Sequence, residues 1–193
     1  MQSIKGVKSM VFSEYELRKM GIKFKPGAEY ISADCVGSCE EELESKVITK
    51  KCRGVVAKTK VKGTGNGTLS VSLHMPYEIY EKAYGMELDS LIEGVRAYGQ
   101  NSVHEEFAIV QDVFDEDGNE KFKAYPNCII QSGISRKIEN GAEEVAEVEL
   151  EISVMPDEYG NGMYEALAST LAKDAASKWM TAFEPSLVQA VTA

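Results

Sequence analysis

The sequence predicts a mainly β fold of the α+β class, with a helix flanking the sheet, on three observations. Residues 55–62 and 69–75 alternate apolar and polar side chains, a period typical of strands with one buried face. Further strand-like runs follow between residues 105 and 154, separated by polar turns. Residues 77–84 place most of their apolar side chains on one helical face, which indicates a helix beside the sheet.

Length and charge limit the possible functions. The chain has 193 residues, 44% of them hydrophobic, which is enough for one sizeable core, so we expect one domain. Its 31 acidic and 21 basic residues give a formal charge of −10, the wrong sign for gripping nucleic acid through phosphates. No stretch approaches the roughly 20 apolar residues of a membrane span, and the N-terminus shows no secretory signal, so we expect no membrane insertion.

The strands of the first half are predicted in short pieces. Residues 8–15, 21–24 and 28–36 favour short strands before the two alternating runs. The glycine-rich residues 63–67 are predicted to turn between those runs, because glycine and asparagine tolerate positive φ. The sequence thus predicts an antiparallel hairpin with one buried and one solvent-exposed face.

Residues 40–51 change from an acidic to a basic cluster and contain few large apolar side chains. This composition predicts a long surface loop, a kind of segment that is usually functional or disordered. It is either a solvated excursion or an interaction arm that orders on a partner of matching charge. Its candidate interaction residues are Glu40, Glu41, Glu42, Glu44, Lys46, Lys50 and Lys51.

Three helices are predicted. The first follows Pro76, a residue suited to a first helical turn, and Gly85 supplies its stop. Its tyrosine-rich face is either core or a binding platform. A second short helix is predicted over residues 89–98. Residues 163–182 are alanine-rich with larger side chains about every four positions, which predicts a C-terminal helix that Pro185 ends.

The second half predicts two strands, residues 107–114 and 121–130, around the polar turn DEDGNE. The turn has a superficial likeness to a calcium loop. However, Pro126 stands at the twelfth position, where an EF-hand needs glutamate, so we expect no calcium site.

An acidic stripe is predicted on the strand of residues 143–154, where Glu147, Glu149 and Glu151 share one face and apolar side chains share the other. Three interpretations are open. The stripe is a solvated face, a ladder against the lysines of residues 58–62 on a neighbouring strand, or a surface that repels phosphate.

No catalytic constellation is recognisable, because the cysteines and histidines lack spaced partners and no GxSxG or Walker loop occurs. We therefore predict no enzyme activity and no cofactor, although folding could bring a pair of carboxylates together. The four cysteines are predicted to be reduced structural thiols. A metal or redox site at Cys35 and Cys39 is the alternative.

Five pieces of the chain, in their order, resemble the major tail tube proteins of long-tailed bacteriophages. They are the charged EEELESKVITKKC, the hairpin GVVAKTKVKGTGNGTLSVSLHMP, the helix YEIYEKAYG, the strand VAEVELEISVMPDEYG and the C-terminal WMTAFEPSLV. Together they span residues 40–188. The tube protein of type VI secretion has the same fold as this family.

The resemblance implies a β-sandwich or half-barrel subunit, one tail-tube domain over residues 1–193 with a flanking helix and a long hairpin loop. Six copies would join their sheets into a ring with a continuous inner β-barrel, and rings would stack into a tube. Residues 40–51 would reach a neighbouring subunit or ring. The segments of about residues 1–20 and 163–193 would be inter-subunit arms.

The resemblance also implies partners and a location. The chain would bind copies of itself and other tail proteins, namely the tape measure, the tail terminator and the baseplate or tip, in a virion assembled in the host cytoplasm. Double-stranded DNA would pass through the bore without specific binding. Because an acidic bore lets DNA slide, Glu147, Glu149 and Glu151 are predicted to face the lumen, with the outward assignment as the alternative.

Other functions remain open at this point. A tube of a phage-tail-like bacteriocin or secretion device would use the same subunit. A monomeric β-sandwich binding module or carboxylate enzyme would use the tyrosines as a ligand platform. A capsid or sheath component is a further possibility.

Overall fold

One antiparallel sheet forms the body of the protein, and the computed structural model describes it over residues 11–25 and 29–190. In chain order the elements are β1 (Glu16–Phe24), β2 (Ile31–Ser32), β3 (Val36–Cys52), β4 (Val55–Leu73), α1 (Tyr77–Ala83), β5 (Phe107–Phe114), β6 (Glu120–Ile130), β7 (Val148–Val154), β8 (Tyr164–Leu167), α2 (Lys173–Ala182) and a 3-10 turn (Pro185–Val188). The strand order is β2-β1-β5-β6-β7-β4-β3, with β8 also paired to β6. The prediction of a mainly β fold with a flanking helix is confirmed.

The main core lies on one face of this sheet. In β4 the side chains of Leu69, Val71 and Leu73 are buried and alternate with polar ones, as the period of a strand requires. β1, β5, β6 and β7 contribute further buried apolar residues to the same cluster. The ends of the strand path approach each other, since β1 contacts β3, so the open sheet is curled around this core.

Helix α1 covers the main core, and its prediction is confirmed. Tyr80 and Tyr84 are buried in the cluster, so the tyrosine-rich face is core, whereas Tyr77 is exposed. The helix stops at Gly85, whose φ of 58° is left-handed and whose N–H donates to the carbonyl of Lys82.

Helix α2 covers the opposite face of β5 and β6. Trp179 and Phe183 pack there on Val110 and Phe122, and the Trp179 indole Nε1 donates to the carbonyl of Lys123 at 3.1 Å. The predicted C-terminal helix of residues 163–182 is therefore only half right. Its first part forms β8 instead, because pairing with β6 outweighs the helix propensity of a short alanine-rich segment.

The predicted turn of the long hairpin was wrong. β3 and β4 turn at Arg53 and Gly54, whose φ values of 51° and 82° give a two-residue type I′ turn. The glycines of residues 63–67 lie inside β4, where the register shifts against β3. Two of them permit close packing: a Cβ on Gly67 would lie 2.6 Å from the carbonyl oxygen of Glu42, and one on Gly65 would lie 2.9 Å from that of Gly160.

Other boundaries also differ from prediction. Residues 40–51 are part of β3 rather than a loop, a strand that sequence patterns miss because it buries almost nothing beyond its first half. Residues 89–98 form turns, with Gly94 at a φ of 84° in place of a second helix. Only Ile31–Ser32 and the start of β3 are strands within 28–36. The predicted strand 8–15 lies partly outside the described residues, and its described part, residues 11–15, is not a strand.

The strands of residues 107–114 and 121–130 and the turn between them are confirmed. Asp115 stabilises this turn, since its Oδ1 accepts from the N–H groups of Asp117 and Asn119. Within the described ranges, no helix is long and apolar enough to cross a membrane.

Asp112 on β5 is a buried carboxylate, 5% exposed, and its Oδ1 has no hydrogen-bond partner among the described residues. Burial and the neighbouring Glu120 raise its pKa from 3.8 to about 6, although the charges of Lys19 and Arg18 act in the opposite direction. The folded protein therefore holds a proton between about pH 4 and 6 that the unfolded chain releases.

Replacing Asp112 by asparagine is expected to remove this pH dependence. The contribution of Asp112 to the free energy of unfolding falls as pH rises through the window from about 4 to 6, because there the folded state binds the extra proton. The difference in Tm between variant and wild type should grow through that window and level off above it. Thermal unfolding followed by circular dichroism at several pH values measures this, and a pH-independent difference would contradict it.

Candidate functional site

β3 and β4 extend beyond the body as a two-stranded ribbon of residues 45–63, which we call the arm. Every residue from 42 to 63 is exposed, on both faces of the ribbon. The paired strands run from the pair of Ser45 and Gly63 to the pair of Cys52 and Val55, so the arm is about 26 Å long. A two-stranded ribbon is marginally stable in water, and this one lacks any packing from the described part of the chain.

One face of the arm is basic. Lys46 lies directly opposite Lys62, and Lys50 lies opposite Lys58, so like charges face each other across the ribbon. Lys60 shares this face, which we call the lysine face. The arm contains seven basic residues and no acidic one, so the rest of the chain carries a formal charge of −17.

The other face of the arm is apolar. Val47 pairs with Val61, Thr49 pairs with Thr59, and Val56 lies nearer the tip. Val47 is 60% exposed, Val61 is 61% exposed and Val56 is 52% exposed. We call this the valine face. The pair of Thr49 and Thr59 separates Val56 from the other two valines, and exposed apolar side chains grouped in this way are typical of an interaction site.

The backbone of β3 is unpaired along its second edge. Within the described residues β3 pairs with β4 alone and ends the strand path. An open edge presents free N–H and C=O groups that can pair with a strand of another molecule. The arm therefore offers side chains on two faces and a backbone edge.

Glu41 holds the root of the arm on the body. Its carboxylate pairs with Lys123 and accepts a hydrogen bond of 2.6 Å from the Tyr125 hydroxyl. Lys123 is 5% exposed and lies 3.2 Å from Glu14 as well. Burial alone would lower the pKa of Lys123, but its hydrogen bond to Glu41 and the two carboxylate charges raise it.

An acidic surface covers the side of β3, β4 and β7 that faces away from the main core. The register places Glu149 of β7 beside Ser72 and Glu151 beside Ser70, while Glu40 of β3 lies on the other side of Ser70. This acidic face consists of Glu40, Glu42, Glu149 and Glu151 around the hydroxyls of β4. All four glutamates are exposed.

The predicted site residues thus divide into several groups. Glu40 and Glu42 join two of the predicted lumen carboxylates, Glu44 is exposed beside Thr64 of β4, and Glu41 points into the body. Lys46 and Lys50 belong to the lysine face. Lys51 is exposed near the tip, opposite Val56.

The proposed ladder between the acidic stripe and the lysines of residues 58–62 was wrong, because β7 pairs with the body half of β4. Glu147 precedes β7 and accepts a hydrogen bond of 2.6 Å from Ser72. Sequence reasoning also missed that β4 brings the glutamates of β3 and β7 together. The signal was the alternation of Glu40, Glu42 and Glu44, which fits a strand.

A cleft of about 1110 Å³ lies at the end of β4 that is opposite to the arm. One wall is the sheet, with Ser72, His74, Glu147 and Glu149, and the other is the loop of residues 135–146. The loop contributes Glu139, Glu144 and two strongly exposed apolar residues, Ile138 and Val145. We call this the acidic cleft; its cation, Lys137, pairs with Glu139 at 2.7 Å.

The cysteines do not form a cluster with metal ligands. Cys35 is an exposed free thiol and Cys39 is half-buried, with burial raising its pKa. Across residues 11–25 and 29–190, no group of three or more histidine, cysteine, aspartate or glutamate side chains is arranged to hold a metal ion.

Comparison with known proteins gives structural likenesses at low identity. No protein-family model matches the chain. No curated protein matches it. A chain of the anti-feeding prophage cap, the tube-terminating cap, has a TM-score of 0.48 and 10% identity, with 86% of this chain and 99% of that chain covered. A chain of the anti-feeding prophage baseplate has a TM-score of 0.42 and 8% identity, covering 81% and 97%. At these TM-scores and identities, the likenesses carry no functional conclusion for this chain.

Proposed function

We propose that this chain is a structural subunit that assembles with copies of itself into rings, and that the rings stack into a tail tube. The observation that carries the proposal is the arm, with a lysine face, a valine face and an open edge that nothing in the described chain covers. A ribbon with facing lysines needs an external partner to be stable. A strongly acidic copy of the same protein meets that need.

The arm favours head-to-tail assembly. An arm that contacts a different surface of the next copy, which in turn extends its own arm to a third copy, makes a heterologous contact. Heterologous contacts close into rings or continue as filaments, whereas two copies that exchanged arms would form a closed two-fold dimer. Pairing at the open edge of β3 adds backbone hydrogen bonds without requiring special side chains.

We further propose that the assembled tube is a conduit for double-stranded DNA whose bore is lined by the acidic face. The fit is electrostatic: exposed glutamates on β3 and β7 repel phosphates, so DNA would slide without specific binding. Glu147, Glu149 and Glu151 remain the candidate lumen residues. In this account the function is that of a phage tail tube protein, located in the virion.

Changing Glu151 to lysine is expected to slow genome ejection while tubes still form, because a more basic bore would hold DNA through its phosphates. Ejection rates of particles that carry the variant measure this. Glutamine at the same position is the matched control, since it removes charge without creating attraction. Ejection at the wild-type rate by the lysine variant would contradict a lumen position.

Two parts of the proposal concern neighbours in the particle. The segments of about residues 1–20 and 163–193 are proposed to contact other subunits, although β8 and α2 of the second segment also pack on their own sheet. The tape measure, the terminator and the baseplate or tip are the proposed partners at the tube ends.

Sedimentation velocity over a wide range of protein concentration tests the self-assembly. We expect the 21.2 kDa subunit to convert into a discrete ring and then into larger stacks as concentration rises. A single 21.2 kDa species at every concentration would favour the monomeric binding module instead. A conduit in a bacteriocin or secretion device would assemble in the same way, and the cargo of the isolated particle distinguishes it from a phage tail.

A further inference from the structure

We propose that the arm of one copy docks into the acidic cleft of the next copy along the tube. This inference rests on the proposed function and names the surface that receives the arm. The lysine face would meet the carboxylates of the cleft, and the valine face would meet its exposed apolar residues. The contact is therefore a charge-complementary clasp between successive copies.

The arm and the acidic cleft lie at opposite ends of the same strand. β4 carries the arm at residues 55–63 and lines the cleft through Ser72, with His74 just beyond its end. About ten residues of strand separate the two, or about 33 Å. Copies related by a shift along this strand direction would place each arm at the cleft of its neighbour, and the same shift would repeat through a stack.

The chemistry of the two surfaces is complementary. The acidic cleft contains Glu139, Glu144, Glu147 and Glu149, whereas the arm contains seven basic residues and no acidic one. A docked arm would cover Glu147 and Glu149, so of the three candidate lumen residues Glu151 alone would stay open to the bore. Salt bridges formed on docking would also relieve the repulsion between facing lysines within the arm. Electrostatic complementarity of this kind sets the register and orientation of a contact.

The apolar groups of the two surfaces also match. Ile138 and Val145 on the loop wall are 90% and 82% exposed, respectively, although each is a large apolar side chain. The valine face presents Val47 and Val61, which are likewise exposed. A ribbon placed in the cleft would bury both sets, and apolar burial supplies stabilisation that charge pairs alone rarely give.

A second copy is the best occupant for the cleft. The arm cannot reach the cleft of its own chain, because the strand β4 holds the two apart. Nucleic acid could bind the lysine face, but the remaining charge of −17 on each subunit would oppose its approach. The acidic cleft would repel phosphates as well. Binding of nucleic acid would therefore account for the lysine face of the arm but not for the acidic cleft.

Charge reversal in pairs tests the clasp. One variant carries K50E and K58E in the arm, and the other carries E139K and E144K in the cleft; both pairs are exposed, so the fold should tolerate them. Each variant alone should need at least about tenfold more protein to form stacks, because like charges would then meet. An equimolar mixture should assemble near the wild-type concentration, since each altered arm finds an altered cleft.

The matched control is K25E with K82E, two exposed lysines outside the arm, the acidic cleft and the terminal segments, which change the net charge by the same amount as the arm variant. It should assemble as the wild type does, and circular dichroism should show that all variants are folded. Assembly is read by sedimentation, with light scattering in rising NaCl as a second readout, where we expect wild-type stacks to dissociate.

Three results would overturn the clasp while leaving the proposed function intact. The first is normal stacking by both charge-reversed variants. The second is a mixture that does not regain assembly although each variant is folded. The third is a K50E/K58E variant that stacks normally but no longer binds double-stranded DNA, where the wild type does bind it. Absence of any wild-type assembly would instead count against the proposed function itself.

Discussion

A chain in which residues 46–62 are replaced by Asn-Gly is expected to fold but to lose self-assembly. Ser45 and Gly63 lie opposite each other, so a two-residue turn can join them without disturbing the body. The replacement removes the lysine face and the valine face together. Loss of burial for Val47 and Val61 alone should raise the assembly concentration at least about twentyfold, since fully burying an exposed valine contributes about 1.5–3 kcal/mol and these two are 60% and 61% exposed.

Sedimentation velocity measures the assembly, and thermal unfolding shows whether the body remains folded. A shorter replacement, of residues 50–58 by Asn-Gly, keeps the pair Thr49 and Thr59 and half of the arm. It should assemble at an intermediate concentration. Rings or stacks formed by the fully shortened chain at the wild-type concentration would show that the arm is not the assembly element.

Replacing Lys123 by alanine is expected to destabilise the fold by about 3–5 kcal/mol, the cost of leaving a buried charge unpaired. Lys123 is 5% exposed, and its loss would leave the carboxylate of Glu41 inside the body, beside Tyr125, without its ion-pair partner. Because Glu41 belongs to β3, the root of the arm would loosen as well. Urea unfolding gives the free energy, and concentration-dependent sedimentation gives the effect on assembly.

Lys121 on the same strand is the matched control. It is 14% exposed but pairs with Glu14 and Glu165, both about half exposed, so the carboxylates that Lys121→Ala leaves behind stay in contact with water and the loss should be smaller than for Lys123→Ala. The double change of Lys123→Met with Glu41→Gln should be milder than Lys123→Ala, because no uncompensated charge remains. Equal losses for the two alanine variants would contradict the buried role of Lys123.

The parts of the fold that sequence patterns predicted are those that bury apolar side chains. Val148 to Val154 alternates and the helix ending at Gly85 repeats with the period of its structure, whereas the two strands around Asp115 are buried on both faces and were recognised as strand-like runs bounded by a polar turn. Periodicity left Tyr80 and Tyr84 as core or as a binding platform, and the structure places them in the core.

The arm could not be predicted in this way, because both of its faces are exposed. Its sequence in β3 therefore shows no regular alternation of apolar and polar residues. The glycines of residues 63–67 looked like a turn, yet Gly65 allows the close approach of Gly160, which is 95 residues away in sequence. The real turn at Arg53 and Gly54 lacks the usual Asn-Gly signature, and arginine seldom adopts positive φ.

The candidate site depends on which strands pair with each other, and the sequence pattern within one strand does not contain that information. Glutamates of β3 and β7 were each recognised as acidic, but only the register of β4 between them makes one acidic face. Likewise, the partner of Glu41 turned out to be Lys123, which is 82 residues away in the chain.

Electron microscopy of the purified protein across a range of concentrations tests the central claim most directly. We predict rings with a central hole that stack into tubes as concentration rises. Tubes should be lost when residues 46–62 are replaced by Asn-Gly. Particles that remain single subunits at every concentration, with no rings at the highest, would contradict the account.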